Sequence, residues 1–309
     1  MARRALAIFS LLALLISTGC GLSRNTGKDA KPRTGAYGDP NSLASPTETA
    51  TDPAAPPAEP PPGPGKAPGN NIPNFQPGAP PPTDEPERDP EEVDDESYPG
   101  AAARAMLRPQ PFTEIVIEID SVPGQEPDER ALNYMIDTLS RITGKRVIRE
   151  GGNSLPSTDG TTTASQVREM SKRRNTHSVA PRVSLYLAFL NGRAAESDRI
   201  LGYAVLSTVI GFYPDRWRGL ANVNNYAVEG SIILHEVGHL LAQTEIDYVS
   251  PRHRKSSNPA HGNHTTNQAS VMYYEVETTG ISSVVRGSDP LAFDADDLAD
   301  FRDMAAGRL

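Results

Sequence analysis

Cysteine is nearly absent: Cys20 is the only one in 309 residues. A disulfide-stapled scaffold is therefore excluded. Basic charge is short as well. The chain has 30 Lys and Arg against 39 Asp and Glu, a net charge of −9. Nothing in it suggests the basic face of a nucleic-acid binder. Beyond the first twenty residues no apolar run is long enough to span a bilayer. No internal repeat occurs. Aromatic residues make up only 6% of the chain, which narrows the part that can build a core.

What is abundant is proline. Of 29 prolines, 19 lie between Pro32 and Pro99. The negative charge is local too. Between Asp84 and Glu96, 9 acidic residues and 1 arginine carry −8, which leaves −1 for the rest of the chain. Runs such as Pro60-Pro61-Pro62 and Pro80-Pro81-Pro82 cannot enter helices or ladders. The tract cannot bury enough apolar surface to offset its ordering entropy. Residues 20–108 are read as a disordered, extended tether, partly polyproline II, with an acidic end. About two hundred residues remain, 109–309, enough for one domain with a sizeable core and too few for a large multidomain enzyme.

The first residues read as an address. Arg3 and Arg4 form a positive start, and Ala5 to Ile16 is an apolar run too short for a comfortable membrane span. Ser17-Thr18-Gly19-Cys20 closes it. This resembles a bacterial lipoprotein signal, in which the signal peptidase cleaves before a lipid-modified cysteine. The small residues before Cys20 fit; Ser17 stands where leucine is more usual. The resemblance implies a signal peptide over residues 1–19 and a lipid anchor on Cys20 as the membrane attachment. The domain is then expected at the cell envelope, outside the cytoplasm.

From residue 109 the pattern is mixed α and β. Glu114 to Asp120 alternates as a strand with Ile115, Ile117 and Ile119 on one face. Pro127-Asp128 opens a helix striped by Leu132, Ile136, Leu139 and Ile142, with Gly144 past its end. Arg146-Val147-Ile148 is the next strand. Strand, helix and strand in about 35 residues read as a crossover between parallel strands. Gly151 to Lys172 is a polar loop with a short helix. Val183 to Leu190 is a buried strand. Ile200 to Tyr213 holds one or two more, broken near Gly202 and Gly211. A long helix runs from about Tyr226 to Gln243, and Asp294 begins a final one. The Asp294–Asp297 pair reads as a helix N-terminus over Phe293, Leu298 and Phe301. No glycine-centred loop accompanies these acids, which argues against calcium.

The long helix carries His235-Glu236-Val237-Gly238-His239. Histidines four apart share one helix face about a turn apart. Two imidazole nitrogens so placed can bind one Zn²⁺. Glu236 lies beside them, free to take a proton from a zinc-bound water and return it to a leaving amine. A buried Glu next to two buried His is expensive without a metal. A catalytic zinc needs a third protein ligand. Glu245, His253, His261 and His264 are the candidates. Glu245 follows Ala242, where a glycine would ease a sharp turn into the site. His253 and His261 lie in a loop with nothing evident to fix them. His177 reads as a surface residue.

The stretch His264-Thr265-Thr266-Asn267-Gln268-Ala269-Ser270-Val271-Met272 resembles the archaemetzincin pattern that follows the zinc helix. That pattern is His-Cys, four residues, Cys, any residue, Met; Thr265 and Ser270 stand in the two cysteine places. Ser270-Val271-Met272-Tyr273 also resembles the Met-turn of metzincins generally. The resemblance spans roughly Ser231 to Glu275. It implies His264 as third ligand, Met272 packed beneath the histidines, and a Tyr274 that acts on the zinc or the oxyanion.

The fold class expected is α+β: a metzincin-like zincin domain with a mixed, mostly parallel twisted sheet and a long zinc-binding helix. The function expected is a zinc-dependent endopeptidase acting outside the cytoplasm, with a zinc-activated water, Glu236 as general base, and an edge strand within Ile200 to Tyr213 that holds an extended peptide. Two other readings stand beside it: a catalytically inactive zinc-binding lipoprotein of the same shape, and an envelope interaction protein with an accidental motif. Zn²⁺ is the cofactor. The partners are a peptide or protein substrate and, through Cys20, a membrane, with no nucleic acid; a monomer is expected.

Overall fold

The computed structural model describes residues 93–220, 223–246, 248–253, 255–258 and 261–309. The expected signal peptide, Cys20 and nearly all of the expected tether lie outside the described residues. Among the described residues no helix is long and apolar enough to cross a membrane.

The packed chain begins earlier than residue 109. Val93 already lies against the core, and α1 (Ala103–Leu107) buries Ala103, Met106 and Leu107. Asp95 is buried beside Arg174, with 2.7 Å between carboxylate and guanidinium, and accepts from the Ser178 backbone at 3.0 Å. Residues 93–108 therefore belong to the globule. They read as tether because their apolar turn follows an acidic, proline-rich run that hides its short periodicity.

Strand β1 (Glu114–Ser121) is followed by α2 (Glu129–Thr143) and β2 (Arg146–Ser154). Asp128 caps α2 by accepting from the backbones of Arg130 and Ala131, and Gly144 ends it in the left-handed conformation at φ 67°. Then come β3 (Thr161–Thr162), α3 (Ala164–Ser171), β4 (Arg182–Phe189), β5 (Arg193–Ala194), β6 (Gly202–Leu206) and β7 (Val209–Phe212). The main sheet has five strands in the order β2-β1-β4-β7-β6. Its pairs are parallel except β6 with β7, so β6 is an antiparallel edge strand. The mixed, mostly parallel sheet is as expected. The break between β6 and β7 falls at Ser207-Thr208, not at the glycines. Gly202 and Gly211 lie inside strands because neighbours come close: a Cβ on Gly202 would meet Phe212 Cδ1 at 2.9 Å and Glu236 Cγ at 3.1 Å.

Each face of the sheet has its own core. Ile115, Ile117 and Ile119 join Leu132, Met135 and Leu139 of α2 on one face. Tyr186, Ala188 and Val209 meet Val167 of α3 on the other. Two acids of β1 are buried on that second face and fully used. Glu118 accepts from the backbones of Asn175 and Thr176 at 2.9 Å, and Asp120 accepts from the Tyr186 hydroxyl at 2.8 Å.

Helix α4 (Asn225–Leu240) packs against α2 and β6. Asn224 caps it, accepting from the backbones of Tyr226 and Ala227. From Ala227 to Leu240 every residue is buried, as expected of a helix apolar nearly all round. It stops before Gln243 because Ala242 and Thr244 turn left-handed, at φ 61° and 63°. Helix α5 (Ala295–Ala305) starts at a capping box made by Asp294 and Asp297, over the buried Phe301.

Candidate metal centre

His235 and His239 point from one face of α4 with ring centroids 4.8 Å apart. Their Nε2 atoms lie 3.1 Å from each other. His264 comes in from the long loop, its ring 5.2 Å from that of His235 and 5.1 Å from that of His239. The turn around Met272 holds it there: the Thr265 N–H donates to the Met272 carbonyl at 3.2 Å. A fourth group joins them. The Glu277 carboxylate lies 3.7 Å from His235 Nε2 and 3.5 Å from His264 Nε2. One ligand atom from each of His235, His239, His264 and Glu277 falls within 4.8 Å of every other.

The far sides of the rings are held from behind. The His235 Nδ1–H donates to the Val271 carbonyl at 2.6 Å, which fixes the tautomer and leaves Nε2 as a free lone pair. Glu245 places Oε1 2.5 Å from His239 Nδ1. Glu245 thus meets His239 at Nδ1, not at the Nε2 that faces His235, and lies outside the cluster. The sharp turn expected to need glycine is made by Ala242 in the left-handed region. Met272 is fully buried, and its sulfur faces Gly238 between the two helix histidines.

Those residues fit a metal. Nitrogens or oxygens about 2.0–2.1 Å from one tetrahedral zinc would stand roughly 3.3 Å from each other. The distances in the cluster, 3.1, 3.5 and 3.7 Å, bracket that figure. Neither nitrogen of buried His264 has a hydrogen-bond partner, a costly state for a protein-only core. Burial holds His235 below the ordinary imidazole range, in the neutral form a metal takes.

Glu236 is fully buried and both its oxygens lack a well-formed hydrogen bond. Burial, joined by the Glu277 charge, raises its carboxyl well above the usual range, and only the Ala204 backbone works against this. Its Cγ lies by Gly202, so the side chain sits between α4 and the edge strand.

The other candidates lie elsewhere. His253 is buried against α5, with Nε2 2.5 Å from Asp297; its loop segment is pinned rather than loose. His253, Asp294 and Asp297 do cluster, but the two aspartates already serve the helix cap and the Ser270 hydroxyl. His261 stacks on Tyr274 at 3.6 Å between centroids. The Tyr274 hydroxyl donates to Glu275 at 3.2 Å, and its phenol is pushed up to about 12 by partial burial and by Tyr273 and Glu275. His177 is exposed. Glu277 had no signal in the sequence: it sits in a 3₁₀ turn, Tyr274–Glu277, where no helical or strand period marks it out.

No protein-family model matches the chain, and no curated protein matches it. Among solved structures it is similar to an archaemetzincin from Methanopyrus kandleri, at 12% identity and a TM-score of 0.42, over 63% of this chain and 97% of that one. It is also similar to an archaemetzincin from Archaeoglobus fulgidus complexed with malonate, at 15% identity and a TM-score of 0.35, over 60% and 99%. A zinc-dependent peptidase from Methanocorpusculum labreanum gives 13% identity and a TM-score of 0.35, again over 60% and 99%.

Proposed function

We propose that the chain is a zinc-dependent endopeptidase held at a membrane by a lipid on Cys20. The observation that carries the reading is the convergence of the His235, His239 and His264 rings beside a buried, unsatisfied Glu236. Zinc held there would supply a water of lowered pKa and a Lewis acid for the scissile carbonyl. With zinc held by His235, His239 and His264, Glu236 would accept the proton of the attacking water and hand it to the leaving amine as the C–N bond breaks. Strand β6 is the outermost strand of the sheet and runs next to Glu236, where an extended peptide can add as a further strand. Tyr274 keeps its proton at neutral pH and can donate to a developing oxyanion if it leaves Glu275.

The signal peptide over residues 1–19, the lipid at Cys20 and the tether would place the domain outside the cytoplasm, at a distance from its membrane. A zinc protein of the same architecture without turnover is the second reading, and Glu277 favours it by adding a fourth possible ligand.

The test is made on the full chain. One zinc per chain is expected by metal analysis, lost in His235→Ala and His239→Ala. A peptide library should be cleaved by wild type and left intact by Glu236→Ala with zinc still bound. Full zinc loading in both histidine variants would end the metal reading; equal cleavage by Glu236→Ala would end the mechanism. In the same preparations wild type should enter the detergent phase and Cys20→Ala should not. Equal partitioning would remove the anchor.

A further inference from the structure

We propose that Glu277 is a fourth ligand that closes the metal centre, so that the chain rests as a latent enzyme until this carboxylate is displaced. The inference rests on the zinc reading above and adds to it the regulation of the same site.

The geometry separates a ligand from a simple ion pair. A charged N–H···O hydrogen bond has its heavy atoms about 2.7–2.9 Å apart. Glu277 stands off instead, with Oε2 3.7 Å from His235 Nε2 and Oε1 3.5 Å from His264 Nε2. Two carboxylate oxygens at that range, facing two imidazole nitrogens, leave room for an ion between them. His235 has already given its one N–H to the Val271 carbonyl, so its Nε2 has no proton to offer Glu277 when the ring is neutral. A lone pair facing a carboxylate is repulsive unless a cation lies between. Three histidines and a carboxylate complete a tetrahedral set, the hallmark of a closed site, whereas a catalytic zinc keeps one position open.

The backbone around Glu277 is fixed, and its side chain is not locked in. The Leu201 N–H donates to the Glu277 carbonyl at 2.9 Å, and the Thr279 N–H to the Arg199 carbonyl at 3.1 Å. Ile200 and Thr278 form an antiparallel bridge. Residues 277–279 are thus stitched to the segment that leads directly into β6. The Glu277 side chain keeps 21% of its exposure, so it can rotate toward water without unfolding its turn. A peptide laid on β6 would begin where this stitch ends, and its scissile carbonyl would compete with Glu277 for the same position.

Cobalt(II) in place of zinc reads the coordination without turnover, and acetohydroxamate is the probe for an open position. In the full wild-type chain the visible spectrum should be that of a four-coordinate ion and should barely respond to acetohydroxamate. In Glu277→Ala the probe should bind at least tenfold more tightly, and cobalt at least tenfold more weakly. Glu277→Gln keeps the volume and should fall between the two, which guards against a folding defect in the alanine variant. If wild type and both variants take acetohydroxamate equally and hold cobalt equally, Glu277 is not a ligand, and the zinc reading stands without it. If wild-type cobalt binding is indifferent to His235→Ala, the zinc reading itself fails, and this inference with it.

Discussion

Gly238 has helical φ in α4, and on propensity alone alanine there should gain about 1 kcal/mol. The packing reverses the sign. A Cβ at this position would stand 2.2 Å from Met272 Sδ and 3.0 Å from Phe293 Cε1. The sulfur has no free space, because Met272 is fully buried. Overpacking a closed core costs roughly 1–3 kcal/mol. The same push moves Val271, whose carbonyl orients His235. Gly238→Ala should therefore lower stability and weaken zinc binding together. Denaturant unfolding and zinc titration check this; a variant that matches wild type in both would show that the turn yields freely. At this scale the site was partly legible. His235, Glu236 and His239 stand out because a helix converts a spacing of four into one face. Glu277 does not, since a 3₁₀ turn after an irregular loop repeats nothing that a sequence can display.

The loop between α4 and α5 divides its labour between metal and fold. Its two inner histidines have different partners. His264 faces His235 and His239, while His253 faces Asp297, both side chains almost wholly buried. Arg252 adds ion pairs to Asp300 and Asp303 on the same helix. Removing His264 should lower zinc affinity beyond the roughly 10–100-fold typical of losing a supporting group, and Glu245→Ala should fall inside that range. His253→Ala should leave zinc affinity near wild type and cost about 1–3 kcal/mol of stability, because Asp297 Oδ1 is left buried without a partner while Oδ2 keeps the Ser270 hydroxyl and the Asp294 N–H. Zinc titration and equilibrium unfolding of the variants decide it. If His253→Ala abolished zinc binding at full stability, the roles would be exchanged. The core elements were readable because each carries a period and a stop: alternating isoleucines in β1, Asp128 and Gly144 around α2. This loop carries neither. Its order comes from contacts with α5, up to 51 residues away in the chain, which no local pattern records. The same holds for the end of α4, where Ala242 takes a conformation that its side chain does not advertise.

For the whole molecule the decisive question is where the tether ends and the globule begins. Length and composition separate a proline-rich tract from a folded part, but place the join at 109. The contacts place residues 93–108 inside. Met106 and Leu107 are 0% and 1% exposed. Fully burying such side chains is worth about 1.5–3 kcal/mol each, an upper estimate because the unfolded chain is not fully extended. Arg174, whose side chain is 5% exposed, has Asp95 beside it at 2.7 Å. Leaving such a charge without its partner costs about 3–5 kcal/mol. The terms together rival the 5–15 kcal/mol that holds an ordinary domain folded. A chain beginning at residue 93 should therefore melt cooperatively, while one beginning at 109 should lose its near-ultraviolet circular dichroism and fall to protease at room temperature. Asp95→Ala in the longer chain should fall between, since it removes the pairing and leaves α1 in place. If the chains starting at 93 and 109 melt together, α1 and Asp95 are ornaments on a self-sufficient core, and the tether can be counted from residue 108 after all.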